Sequence, residues 1–246
     1  MAEFVHLHVH SEFSLLDGAI RCRSLAAEAQ KLGMRGVALT DHANMFGAIH
    51  HYKGCKAAGI TPIIGCEVNV ARTGEGAHGA RPGDDPPLDH LVLIAENATG
   101  YRNLLRIVSR GHLEPVHSHL PSVTLETVAE DSAGLIALTG CMGGVVSQQI
   151  LEHGEAAGRR MLERLTAAVP EGSLYVELQD HGMIEQPVLN RLLRDAAADM
   201  GLPIVASNDC HFLDKAGGEA QLYLQCIATG RAFADAVIRQ VEQPGG

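Results

Sequence analysis

"FVHLHVHSEFSLLDG", residues 4–18, sets three imidazoles at alternating positions, His6, His8 and His10, in an apolar run where a buried strand normally carries Val or Ile. Asp17 follows seven residues after His10. Side chains two apart on a strand share a face, so His8 and His10 are displayed together. A buried histidine taken alone is more often a hydrogen-bonded core residue than a ligand. The rest of the chain decides between those readings.

Outward from this segment, short Val- and Ile-rich runs alternate with helical patterns. The strand candidates are 4–9, 35–40, 61–70, 88–96, 134–139, 173–179 and 202–209. The helix candidates are 24–33, 47–59, 101–111, 143–154, 155–169, 184–201 and 217–230. The first helix opens on Ser24 and stops at Gly33, and the second stops at Gly59, as capping chemistry prefers. Seven strands in strict alternation with helices predict parallel βαβ units, with the count favouring a closed barrel over an open sheet. No internal repeat or domain linker is visible, so one domain over 1–246 is expected. Residues 72–87, "RTGEGAHGARPGDDPP", read as a mobile Gly/Pro-rich loop, and 240–246 as a frayed tail.

Composition narrows the function. The chain has 246 residues, 46% hydrophobic and 20% charged, enough for a sizeable core. A net charge of −10 argues against binding nucleic acid or anionic membranes through the general surface. Any phosphate must therefore be met by a local positive centre. No run of 18 apolar residues and no signal-peptide pattern is present, so a cytoplasmic protein with no membrane partner is expected, its six cysteines held as thiols. The absence of Trp disfavours an aromatic stacking platform for single strands.

In a parallel barrel the site forms where the strands end. Metal-capable residues gather there: His8, His10 and Asp17 after the first strand, Asp41 and His42 in "LTDH", Glu67 in "GCEVNV", Cys141 in "LTGCMGG", Asp180 and His181 in "LQDHG", Asp209 and His211 in "SNDCH". His90 is the exception, near the beginning of its strand. Imidazole, carboxylate and thiolate together suit Zn2+ or Mn2+ rather than Ca2+, with iron and magnesium remaining open. The number of donors exceeds what one tetrahedral ion needs and fits two or three ions sharing a carboxylate. Clustered divalent ions bind phosphate oxygens and activate water as a nucleophile.

These motifs resemble those of the PHP (polymerase and histidinol phosphatase) superfamily. "FVHLHVHSEFSLLDGA", "ALTDHANMFGAIHHYKGCKAAGITPIIGCEVNVA" and "LQDHGMIEQ" are most similar to the N-terminal domain of bacterial replicative polymerase alpha subunits. The resemblance spans residues 4–230. It implies an α/β fold, a distorted (β/α)7 TIM-like barrel holding three divalent metal ions. Carried over residue by residue, His8, His10, Glu67 and Asp209 would hold one ion. Glu67 would bridge to a second, completed by His90 and Cys141. Asp17, His42 and His211 would hold the third. The implied activity is metal-dependent phosphoester hydrolysis, 3′–5′ exonuclease-like on a DNA 3′ end or nucleotide. The alternatives are a small-molecule phosphatase of histidinol-phosphatase type and a non-catalytic assembly domain of a replicative polymerase, in contact with a proofreading subunit. No palm or fingers region is present in the chain.

Other residues have plainer readings. Asp41 is a candidate general base or a group that orients a ligand histidine. His181 is a candidate general acid or substrate contact. His6 is read as structural, Cys66 and Cys210 as core, and His50 and His51 as surface or packing residues on a helix. His112, His117 and His119 are read as solvated. Arg72 and Arg81 flank the 72–87 loop, where a phosphate clamp is the weaker reading.

Overall fold

The computed structural model describes residues 4–72 and 85–233. The expectations placed on residues 73–84, on Arg81 and on the 240–246 tail lie outside the described residues. The chain divides into two compact units, and each is described by itself. The first comprises 1–64, 179–187 and 207–246; the second comprises 65–178 and 188–206. The fold is mixed α/β.

In the first unit, α1 (Cys22–Lys31) precedes β1 (Gly36–Leu39), and α2 (Ala48–Ala58) leads into β2 (Thr61–Ala71). β2 pairs in parallel with β1 over Thr61–Ile64. α2 closes on Gly59 in the left-handed conformation, φ 70°, which a glycine adopts without steric cost. The core here is Val9, Ile20, Leu25, Ala29, Val37, Leu39 and Cys55. His51 lies in it, fully buried, with Nε2 3.0 Å from the Val37 carbonyl oxygen, so its reading as packing is the right one of the two.

The first predicted strand is the first correction. Residues 4–9 form no regular strand; Val9 makes a single parallel bridge to Cys210. The segment is nonetheless held on both sides. The Ala38 and Thr40 N–H groups donate to the His6 and Val9 carbonyls, while His10 N–H donates to Cys210 O and Cys210 N–H to His8 O. Backbone pairing that is real but too sparse for a ladder keeps the histidines in an extended register.

In the second unit, the remainder of β2 is followed by β3 (Leu88–Ala95), α3 (Ala98–Leu113), α4 (Leu125–Glu130), β4 (Leu135–Leu138), α5 (Val145–His153), α6 (Glu155–Ala168), β5 (Leu174–Leu178), most of α7 (Gln186–Met200) and β6 (Ile204–Ala206). The last helix, α8 (Lys215–Thr229), belongs to the first unit. Leu91, Leu93, Leu104, Ile107, Leu135, Leu138, Leu162, Leu165 and Val176 are buried in the core of the second unit.

Strict parallel alternation is the second correction. β3 runs antiparallel to both β2 and β4, whereas β4–β5 and β5–β6 are parallel. Among the described residues no helix separates β2 from β3. Reversing one strand puts its N-terminal end beside the C-terminal ends of its neighbours. His90, out of place in an all-parallel reading, is thereby returned to the same end as the other donors of this unit.

Candidate metal centre

The first unit brings together six of the expected donors. His8 Nε2 and His10 Nε2 lie 3.2 and 3.1 Å from Asp209 Oδ1. Both imidazoles are fully buried, as alternation on an extended segment requires of two side chains that share a face. His10 is sandwiched between two further rings, His42 at 4.1 Å and His211 at 4.4 Å between centroids. Donor atoms of His10, His42 and His211 all lie within 4.8 Å of one another. Asp17 Oδ2 stands 2.9 Å from Nε2 of both His42 and His211. Burial raises the Asp17 carboxyl, but the hydrogen bonds to His211 and His42 outweigh it and hold the group well below the usual carboxylate range.

The second unit brings together the other three. Asn69 sits opposite His90 and Glu67 opposite Val92 across the β2–β3 ladder. Glu67 and His90 are thus diagonal neighbours on one face, within reach of long side chains, and Glu67 Oε1 meets His90 Nδ1. Cys141, in the turn after β4, places Sγ 3.8 Å from the same Nδ1. The turn is glycine-rich for a reason visible at Gly143. A Cβ there would sit 3.4 Å from His90 Nδ1 and 3.6 Å from Cys141 Sγ, so the hydrogen keeps open a space that a methyl would fill.

Both donor sets suit a divalent cation. Three closely stacked imidazoles between carboxylates would repel one another as imidazolium ions and cooperate as neutral ligands. A carboxylate, an imidazole and a thiol around a space cleared by glycine repeat that chemistry. The borderline metals take such mixed sets.

Asp41 and His181, the two candidates for acid–base or orienting roles, have these surroundings. The Asp41 carboxylate is buried and accepts three hydrogen bonds, from Ser11 N–H (2.6 Å), the Ser11 hydroxyl (2.8 Å) and the Ser14 hydroxyl (2.7 Å). His181 is exposed, its Nε2 2.8 Å from the Asn208 carbonyl oxygen and its Nδ1 3.3 Å from Gln186 Nε2. A cavity of about 1100 Å3 lies beside His181, Asp209 and His211 and extends along Met183, Phe212 and Leu222.

Several expectations resolve plainly. Arg72 is not a phosphate clamp. It is buried, bidentate to Asp89 at 2.7 and 2.7 Å, and bonded to Glu152. Burial pushes the Asp89 carboxyl up against the pull of Arg72, yet the fork geometry requires a carboxylate, and we take the pair as ionised. His6 packs on Phe4 and lies 3.4 Å from Cys210 Sγ. His112 and His119 are exposed and His117 half-buried.

The residues that sequence reading passed over are Ser11, Ser14 and Gln179. Gln179 Nε2 lies 3.4 Å from His8 Nδ1 and 3.1 Å from Ser207 Oγ. Ser14 stands four residues after His10 and three before Asp17. That spacing is unremarkable until the loop is folded.

The sequence matches the PHP domain over residues 6–181. It is 38% identical over 237 residues to the DNA polymerase III subunit alpha of Treponema pallidum, covering 94% of this chain and 20% of that protein. It is 37% identical to that of Thermus aquaticus over 236 residues, covering 95% and 19%. The chain thus spans about a fifth of the length of these relatives. Among solved structures it is similar to an amidohydrolase of Chromobacterium violaceum, with TM-score 0.57, 17% identity, and coverage of 84% of this chain and 87% of that one. A Bifidobacterium adolescentis protein assigned as a metal-dependent phosphoesterase gives TM-score 0.54 and 15% identity, covering 94% and 99%. These two likenesses concern the fold. The chain belongs to the PHP family.

Proposed function

We propose that this PHP-family chain is a metal-dependent phosphoesterase acting on a DNA 3′ end or nucleotide, in the manner of a 3′–5′ exonuclease. The observation that carries the reading is the stack of His42, His10 and His211, flanked by the carboxylates of Asp17 and Asp209. In this reading His8, His10, Glu67 and Asp209, then Glu67, His90 and Cys141, then Asp17, His42 and His211 hold three divalent ions, zinc or manganese, within the distorted (β/α)7 barrel that the family resemblance implies. When bound, such ions supply Lewis acidity and positive charge to phosphoryl oxygens in an otherwise acidic protein.

The chain's own groups have these roles. Asp17 and Asp209 supply negative charge that balances the cations. The ring of His211 donates from Nδ1 to the Asp209 carbonyl, 2.8 Å away, and so presents Nε2 as an electron pair. Asp41 orients rather than abstracts a proton, since its buried carboxylate is held by Ser11 and Ser14. His181 braces the Asn208 carbonyl next to Asp209, and the adjoining cavity gives a released mononucleotide room.

A second reading is a domain that serves replicative polymerase assembly, favoured by relatives named DNA polymerase III subunit alpha. A small-monoester phosphatase is the third. Turnover separates them, using end-labelled single-stranded DNA and a phosphomonoester, each with EDTA and Mn2+ add-back. Mononucleotide release that EDTA abolishes supports the nuclease. Phosphate release from the monoester alone supports the phosphatase. No turnover with any metal refutes both.

A further inference from the structure

Ser14 touches three of the donors above without being one. Its buried Oγ lies 2.7 Å from Asp41 Oδ1 and 3.0 Å from His10 Nδ1, and accepts the His42 backbone N–H at 3.1 Å. Its carbonyl accepts the Asp17 N–H at 3.1 Å. One serine thus meets the ring of His10 and the backbones of His42 and Asp17.

The protons in this network can be counted. A hydroxyl has one proton to give, a carboxylate has none, and a backbone N–H only donates. Asp41 Oδ1 already accepts the Ser11 N–H. If the Ser14 proton turned to His10, two buried lone-pair oxygens would face each other at 2.7 Å with no hydrogen between them, which costs the desolvation of both. The proton therefore goes to Asp41. Ser14 Oγ is then an acceptor toward His10, and Nδ1 must carry a hydrogen.

We propose that Ser14, backed by Asp41, is a positioning residue that fixes His10 in its Nδ1–H form, leaving Nε2, the nitrogen 3.1 Å from Asp209 Oδ1, to offer its lone pair to a divalent cation. The inference rests on the metal reading above for the cation; in the metal-free protein the Asp209 carboxylate, 3.1 Å from Nε2, competes for the ring proton, and the Ser14 contact is expected to keep it on Nδ1. A metal-bound imidazole needs its other nitrogen held as a donor, and such outer partners typically contribute 10–100-fold in metal affinity. Asp41 meets the same Ser14 hydroxyl that meets His10 Nδ1. It acts by holding the serine proton.

The test uses the whole chain, metal-free and labelled with 15N-histidine. Long-range 15N–1H correlation spectra, taken where the rings are neutral and assigned against His10→Gln, report the tautomer. Mn2+ titration calorimetry reports affinity. Wild type is expected to show His10 as Nδ1–H. Ser14→Ala is expected to lose that preference and to bind Mn2+ about 10–100-fold more weakly, and Ser14→Thr, which keeps the hydroxyl, to restore both. Asp41→Asn is expected to keep the tautomer, because its amide oxygen still accepts from Ser11 and Ser14. An Nε2–H ring in wild type overturns the proposal, as does a Ser14→Ala protein with unchanged spectrum and affinity. If Ser14→Ala does not fold, the wild-type and Asp41→Asn spectra decide. An Nδ1–H ring with no Mn2+ uptake upholds the tautomer and refutes the metal reading instead.

Discussion

Asp209 holds its Oδ1 3.1 Å from His10 Nε2 from a left-handed backbone, φ 47°. A non-glycine residue in that conformation costs about 1–2 kcal/mol, least for Asp and Asn, whose short polar side chains bond locally. The carboxylate is therefore aimed by a turn that an extended strand would not supply.

Asp209→Asn keeps the left-handed preference and removes the charge. We expect a folded protein with near wild-type melting temperature, lowered metal content and at least about 100-fold less phosphoester hydrolysis, the scale seen when one electrostatic group is removed from an active site. Asp209→Ala should add the backbone strain, about 1–2 kcal/mol. Elemental analysis with calorimetry checks this. Full rate and full metal content in Asp209→Asn would remove Asp209 from the site.

Gly143→Ala isolates the second donor set. The added methyl would meet nothing closer than 3.4 Å, so the fold should survive, but it would occupy the space beside His90 Nδ1 and Cys141 Sγ. Cobalt-loaded protein should lose thiolate-to-metal absorption while circular dichroism stays unchanged. An unaltered cobalt spectrum would show that the space holds no ion.

Arg72→Met leaves Asp89 buried without its partner. Breaking a buried pair from one side costs about 3–5 kcal/mol, whereas replacing both by apolar groups is often neutral. Urea unfolding should show that loss for Arg72→Met and most of it recovered in Arg72→Met with Asp89→Leu. A surface clamp would give the opposite pattern, a small stability change and weakened phosphate binding.

Alkaline pH should destabilise the first unit through two thiols. Burial, with smaller contributions from Asp41 and Glu12, pushes Cys22 up to about 12, and burial pushes Cys55 up to about 11. An unfolded thiol titrates near about 8.5–9. The native state therefore keeps protons that the unfolded state releases as pH rises above that value. The stability is fully present below about pH 8.5 and is lost as pH climbs toward the folded values. Cys22→Ala and Cys55→Ala should each flatten the fall in melting temperature above pH 9, and parallel curves would exclude the thiols.

The candidate donors were legible in the sequence because metal chemistry is written in side-chain type: imidazole, carboxylate and thiolate at strand ends are conspicuous among Val and Ile. Strand direction was not legible. A period of two reads the same whichever way the strand runs, so the antiparallel course of β3, and with it the placement of His90, emerged only from its pairing with β2 and β4. Arg72 could not be told from a surface clamp until Asp89 and Glu152, 17 and 80 residues away, were seen around it.

The sequence by itself determined which atoms can bind a cation, that the elements are mixed α and β, and that His8 and His10 face one way. Tertiary structure alone decided which nitrogen of His10 stands against Ser14 and which against Asp209. That depends on where folding sets Ser14, Asp41 and Asp209, and a hydrogen bond across 27 residues of chain is a fact of distance in space, not of order along the chain.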